Sequence, residues 1–156
     1  MSHNLFGEFF GPSFGIGIGF DSRFKNDTPL GYRVGISYTD GLYDYFEERL
    51  DFKGVSFPLE INAIYGKQKN KFEMGAGVTL SFLHRVHTTW SESGAITTRG
   101  NKLNILGTIN VGYRYQRERG FFLRTGFTIY VGDPEYSPLA ELWILPNISF
   151  GYTFRY

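Results

Sequence analysis

The chain is predicted to be all-β, an eight-stranded antiparallel up-and-down transmembrane β-barrel forming one domain over residues 1–156. Three observations predict it. Apolar residues alternate with small or polar ones at a period of two, which describes strands with one greasy face and one wet face. The clearest run is terminal: Leu142, Ile144, Pro146, Ile148, Phe150, Tyr152, Phe154 and Tyr156 occupy even positions, and Asn147, Ser149, Gly151, Thr153 and Arg155 lie between them. Second, the connections between these runs are alternately short and long, as in barrels with short turns on one side of a membrane and longer loops on the other. Third, aromatics make up 19% of the chain and glycine occurs 20 times. Both exceed ordinary usage and suit closely packed strands.

Each strand is justified by its own alternation. Strand A, about 4–10, sets Leu5 and Phe9 against Phe6, Glu8 and Phe10; it is short, and merging it with the next would leave seven strands. Strand B, 14–24, sets Phe14, Ile16, Ile18 and Phe20 against Gly15, Gly17, Gly19, Asp21 and Arg23. Strand C, about 30–39, sets Tyr32, Val34, Ile36 and Tyr38 against Arg33, Gly35 and Ser37. Strand D, about 56–67, sets Phe57, Leu59, Ile61, Ala63 and Tyr65 against Glu60, Asn62 and Gly66. Strand E, about 71–84, sets Phe72, Met74, Ala76, Val78, Leu80 and Phe82 against Lys71, Glu73, Gly75, Gly77, Thr79 and Ser81. Strand F, about 102–116, sets Leu103, Ile105, Ile109, Val111, Tyr113 and Tyr115 against Lys102, Asn104, Thr108, Asn110, Gly112 and Arg114. Strand G, about 120–131, sets Phe121, Leu123, Phe127 and Ile129 against Arg124, Gly126 and Thr128. Strand H is the terminal run.

The connections at Lys25–Pro29, Lys67–Asn70 and Gln116–Gly120 are short and polar, as hairpin turns are. Those at 39–55, 84–101 and 132–141 are longer. With the C-terminus on the inner side, these three short turns are inner and the three long loops are outer. Gly11-Pro12-Ser13 is then a very short first outer loop.

Alternation alone leaves open which way the greasy face points. A soluble lipocalin-like barrel turns it inward around a ligand. Two arguments favour outward. An eight-stranded barrel has little interior beyond room for side chains, and roughly forty mostly large apolar groups would not fit. The greasy face is also nearly free of charge, which lipid demands and water does not. Tyr32, Tyr38, Tyr65, Tyr113, Tyr115, Tyr152 and Tyr156 fall near strand ends, where interfacial girdles belong. The interior then holds Glu8, Asp21, Arg23, Arg33, Glu60, Lys71, Glu73, Arg114, Arg124 and Arg155. Charges of both signs in a narrow lumen must pair, so an ion-pair ladder filling the barrel is expected, with a proton or ion path as the sharper alternative.

Other signals are weaker. The absence of cysteine excludes a disulfide scaffold and thiolate metal sites. A net charge of +1 offers no electrostatic case for nucleic acid. No run approaches the roughly 18 apolar residues of a spanning helix, and alternating strands escape such a count. Gly15-Ile16-Gly17-Ile18-Gly19 has neither the third glycine nor the helix of a phosphate loop, and fits lumen glycines admitting bulky neighbours. His84 and His87, with Ser91, Glu92 and Ser93, suggest a lipid-modifying hydrolase at the outer rim, but an extended strand points the two histidines to opposite faces. No third metal ligand is evident, and no metal or cofactor is expected. The acids interleaved with aromatics over Asp40–Asp51 could share divalent cations with lipid phosphates or be a solvated loop tip. The polar stretch Thr88–Arg99 is a candidate partner surface.

The terminal pattern Ser149, Gly151, Phe154, Tyr156 resembles the C-terminal signal by which the barrel-assembly machinery of Gram-negative outer membranes recognises its substrates. Further segments carry a wider resemblance: Phe57-Pro58-Leu59-Glu60-Ile61-Asn62, Gly66-Lys67, Phe72 to Gly77, Gly112 to Gln116 and Phe122 to Thr128. On these the whole chain resembles small outer-membrane β-barrel proteins, especially those of Bacteroidetes. The resemblance implies a fold and a location, the cell outer membrane, but no activity. The barrel reading also implies a mature or recombinant form whose leader has been removed, since Met1-Ser2-His3-Asn4 has neither a basic start nor an apolar stretch. The expected role is structural or surface-interacting through outer loops 39–55, 84–101 and 132–141, with a narrow solute channel as the alternative. The expected partners are outer-membrane lipid, lipopolysaccharide and the assembly machinery, with the chain itself a monomer.

Overall fold

The computed structural model describes residues 2–13, 15–26, 28–45, 48–91, 94–132 and 142–155. Eight strands run in chain order: β1 (Ser2–Phe10), β2 (Gly15–Arg23), β3 (Leu30–Tyr45), β4 (Glu48–Tyr65), β5 (Asn70–Ser91), β6 (Gly94–Gln116), β7 (Gly120–Val131) and β8 (Leu142–Arg155). Each pairs antiparallel with its neighbours, and β1 also pairs with β8 from Ser2↔Arg155 to Phe10↔Asn147, closing the barrel. Closure leaves no spanning strand with an unpaired edge, which a chain crossing lipid with strands requires.

The expected alternation decides the orientation of every strand. Isoleucines such as Ile18 and Ile61 face outward, 63% and 60% exposed. Among the described residues the buried hydrophobics are Phe6, Ala63, Leu83, Phe122 and Tyr130, whereas the buried polar and charged residues number 23. A water-soluble barrel would invert that ratio. The greasy faces therefore point out, and the lipocalin-like arrangement does not describe this molecule.

Strand A is a separate strand, β1, which resolves the choice between seven and eight. It is split from β2 by a single 3-10 turn, Gly11–Ser13. Phe10 and Gly11 both adopt left-handed backbone, φ 58° and 59°. Two such residues in succession reverse the chain sharply, at a strain cost for Phe10. The reversal carries the turn into the barrel: Gly11, Pro12 and Ser13 are all buried and lie near all eight strands. The expected first outer loop is thus an inward tuck. The same reversal leaves Phe10 on the outside, 55% exposed, although its parity placed it with Phe6 and Glu8.

Two of the expected long loops are strand. The β3–β4 ladder continues to Tyr45↔Glu48, the β4–β5 ladder to Glu48↔Thr89, and the β5–β6 ladder to Ser91↔Gly94. In contrast β2 and β3 pair only as far as Ile16↔Tyr38, and β6 and β7 only from Gly107↔Val131. Among the described residues a four-stranded sheet therefore continues beyond the outer ends of β2 and β7. From Phe82 to Ser91 it extends about 30 Å along the strand. Of the expected loop 132–141, residues 133–141 lie outside the described residues. At the opposite end the connections are tight, with Gly66, Gln68 and Gly120 at positive φ.

Candidate functional site

The lumen gathers one buried charge from each of seven consecutive strands: Glu8 (β1), Asp21 (β2), Arg33 (β3), Glu60 (β4), Glu73 (β5), Arg114 (β6) and Arg124 (β7). Each is 4% exposed or less. The eighth strand supplies the hydroxyl of Ser149, which donates to Glu8 Oε2 at 3.0 Å and accepts from Arg124 Nη2 at 2.8 Å. Inward parity selects these positions, and register brings them to neighbouring depths. Asp21 is the register partner of Arg33, and Arg33 of Glu60.

Glu73 is the hub. One oxygen takes Arg33 Nη2 at 2.6 Å and lies 3.5 Å from Arg124 Nη1; the other takes Arg114 Nη1 at 2.9 Å. Arg114 reaches across to Asp21 with both terminal nitrogens, at 2.8 and 3.0 Å. This is the two-pronged contact that the planar guanidinium favours. Arg33 also approaches Glu60 at 3.2 Å, and Arg124 pairs with Glu8. Buried charges are tolerated only when their remaining lone pairs and protons are also used. Amides fill several of those places, while Glu60 Oε1, Arg33 Nε and Arg124 Nη1 have no hydrogen-bond partner among the described residues. Asn62 donates to Asp21 at 2.8 Å and to Glu73 at 2.9 Å, Asn4 donates to Asp21 at 2.8 Å, and Asn110 donates to Glu60.

Two phenylalanines lie within this polar set. Phe6 and Phe122 have ring centroids 5.9 Å apart, with Arg124 4.7 Å over Phe6 and Arg114 4.7 Å over Phe122. The rings cover guanidinium faces that no carboxylate reaches. Space for Phe6 comes from Gly19, where a β-carbon would stand 2.5 Å from the ring. Above the charges sits the inward turn. Ser13 Oγ donates to Glu8 at 2.6 Å, while Ser37 Oγ donates to the Ser13 carbonyl at 2.6 Å and Thr79 Oγ1 to the Pro12 carbonyl at 2.7 Å. Tyr130 donates to the Gly11 carbonyl.

The remaining residues expected in the lumen lie at its inner mouth. Arg23 is half-buried, donating to Asn62 at 2.6 Å and pairing with Asp21 at 3.1 Å. Lys71 is half-buried. Arg155 is not a lumen residue: it is exposed at the inner rim, 3.5 Å from Glu118, where β8 still pairs with β1 but has run past the end of β7. Sequence reasoning passed over Phe122, Asn4 and Gln116. Phe122 shares the parity of Arg124, and that was its available signal.

Of the terminal signal, Ser149 belongs to the lumen network. Gly151 leaves no room for a side chain, since a β-carbon would lie 2.6 Å from Phe6 Cα. Phe154 faces outward against Tyr152, centroids 5.0 Å apart, and Tyr156 lies outside the described residues. At the outer end His84 is exposed with Nδ1 2.7 Å from Asn101 Oδ1. His87, also exposed, is three residues on and on the other face of β5. Glu92 and Ser93 lie outside the described residues, as do the side chain of Ser91 and, in the acidic stretch, those of residues 42–50. Among the described residues no three His, Asp or Glu side chains cluster as a metal site would need.

No protein-family model matches the chain, and no curated protein matches it in sequence. Solved structures do match in shape. A major outer membrane protein from Thermus thermophilus superimposes with a TM-score of 0.65 at 14% identity, over 98% of this chain and 99% of that one. The N-terminal β-barrel domain of Pseudomonas aeruginosa OprF gives 0.58 at 16% identity, over 98% and 96%. Neisserial surface protein A gives 0.53 at 13% identity, over 99% and 94%. At such identities the likeness is one of fold: a closed eight-stranded antiparallel barrel.

Proposed function

We propose that the chain is an integral outer-membrane barrel whose lumen is closed to solutes and whose work is done by the outer sheet of β3–β6. The observation that carries this reading is the lumen. Seven buried charges, their amide partners, two phenylalanines and an inward turn occupy it, so ions meet fixed counter-charges instead of water. The outward apolar belt supports residence in lipid, and the likeness in shape to a major outer membrane protein of Thermus thermophilus agrees with that location. The segments resembling small Bacteroidetes barrels give the finer affiliation. The protruding sheet, with strand edges beyond the barrel ladders at Thr39–Tyr45 and Gly94–Leu106, supports a structural or adhesive role toward lipopolysaccharide or another surface.

The test has two parts. The purified chain, refolded into detergent micelles, migrates faster unboiled than boiled on a denaturing gel, as a detergent-resistant barrel does. Added to a planar bilayer it gives no steady unitary conductance. A single band with and without boiling removes the membrane reading. A stable conductance removes the closed lumen and leaves the narrow channel in its place.

A further inference from the structure

The net charge of +1 conceals a division along the barrel axis. The inner end carries exposed Lys25, Lys67, Lys69, Arg117, Arg119 and Arg155, with Arg23 and Lys71 half-buried beside them. The same turns contain two acids, Asp27 and Glu118, and Glu118 is paired with Arg155. Half of the 16 lysines and arginines thus lie at this end. The connections at the other end, 39–55, 84–101 and 132–141, contain nine acidic residues and four basic ones.

We propose that the inner rim is a binding surface for anionic phospholipid headgroups. The inference rests on the membrane reading above and adds the ligand class that this rim takes. Two features of the rim point to a leaflet. The charges are spread around the barrel, on the β2–β3, β4–β5 and β6–β7 turns and at the end of β8, so the whole circumference is positive. A soluble acidic partner would need charge concentrated on one arc, whereas a lipid surface meets the full ring. Depth agrees as well. Outward-facing Phe24, Tyr32, Tyr65, Tyr113, Phe121 and Tyr152 form an aromatic belt at this end, and such belts sit at headgroup level. Lysines just beyond a belt extend their stems along it and place their ammonium groups among the phosphates. The tight turns keep the charges at that level instead of projecting them away.

The experiment refolds the full chain into vesicles of phosphatidylcholine alone and of phosphatidylcholine mixed with phosphatidylglycerol, and measures urea unfolding in each. Wild type is compared with the neutralised rim K25Q/K67Q/K69Q/R117Q/R119Q, with the milder K67Q/K69Q in case the first folds poorly, and with K53Q/R99Q at the outer end. Phosphatidylglycerol is expected to lower the wild-type unfolding constant at fixed urea about tenfold. That gain shrinks in the rim variants, persists in K53Q/R99Q, and fades in high salt. An equal gain in wild type and both rim variants, or none in wild type, overturns the proposal, including where an acidic soluble protein is the true occupant. Failure to insert into either vesicle overturns the membrane reading itself, so the two failures are distinguishable.

Discussion

Glu73 is the residue on which the lumen depends most, because three guanidiniums converge on its two oxygens. Neutralising it leaves Arg33, Arg114 and Arg124 sharing too few anions in a site that water does not reach. Removing one partner from a buried ionic cluster costs about 3 kcal/mol or more. Glu73→Gln is therefore expected to lower the unfolding free energy by about that amount, read from urea titration of the refolded protein by tryptophan fluorescence. A change below about 0.5 kcal/mol would show that the cluster does not bear on stability. At this scale parity made much of the site legible in the sequence. Arg33, Glu60, Glu73 and Arg114 each stand between apolar neighbours, and Asp21 and Arg124 each follow one, so their inward direction followed. Parity says nothing of depth, and Arg155 therefore carried the right alternation at a level where there is no lumen. Nor does it announce that an aromatic on the polar face will be needed, which is why Phe122 was passed over.

The elements show where alternation ends as a guide. Strands C, D, E and F were expected to stop near Thr39, Ser56, His84 and Lys102, where the apolar-polar period fades. The backbone ladders continue to Tyr45, Glu48, Ser91 and Gly94. Beyond the lipid both faces of a strand meet water, so nothing selects for a greasy face, while the backbone hydrogen bonds still form. Strand G, which has no such extension, runs over Gly120–Val131 as its alternation predicts. The protruding hairpins are then separable from the barrel. Replacing residues 43–50 by Asn-Gly joins Leu42 to Asp51, which are register partners, through a two-residue turn. The shortened chain is expected to keep its heat-dependent mobility shift and to change in unfolding free energy by less than about 1 kcal/mol. Loss of the shift would mean that the outer sheet is needed to hold the barrel closed.

Over the whole molecule, the lumen network crosses between strands remote in sequence. Arg114 meets Asp21, Arg124 meets Glu8, and Thr153 donates to Asn4 at 2.7 Å. These pairs form only once β1 and β8 have met, so the network stabilises the closed state and offers little to open sheets. Deleting the β1–β2 hairpin removes Glu8 and Asp21 and strips Arg114 and Arg124 of principal anions. The resulting chain is expected to give no boiling-dependent shift at all, instead of a smaller barrel with one. A six-stranded species that resists detergent would contradict this.

The one-charge-per-strand arrangement has a consequence for how the number eight is specified. Hairpins of similar sequence pattern could in principle close into rings of several sizes, since hydrogen-bonded ladders and greasy exteriors are indifferent to how many strands they join. The lumen is not indifferent. Counting the groups joined by ion pairs, Arg23 at the mouth included, the acids Glu8, Asp21, Glu60 and Glu73 are matched by Arg23, Arg33, Arg114 and Arg124. A ring that lacked the first or the last hairpin, or gained one of them from a second copy, would enclose a charge without an opposite. In this barrel electroneutrality does the counting.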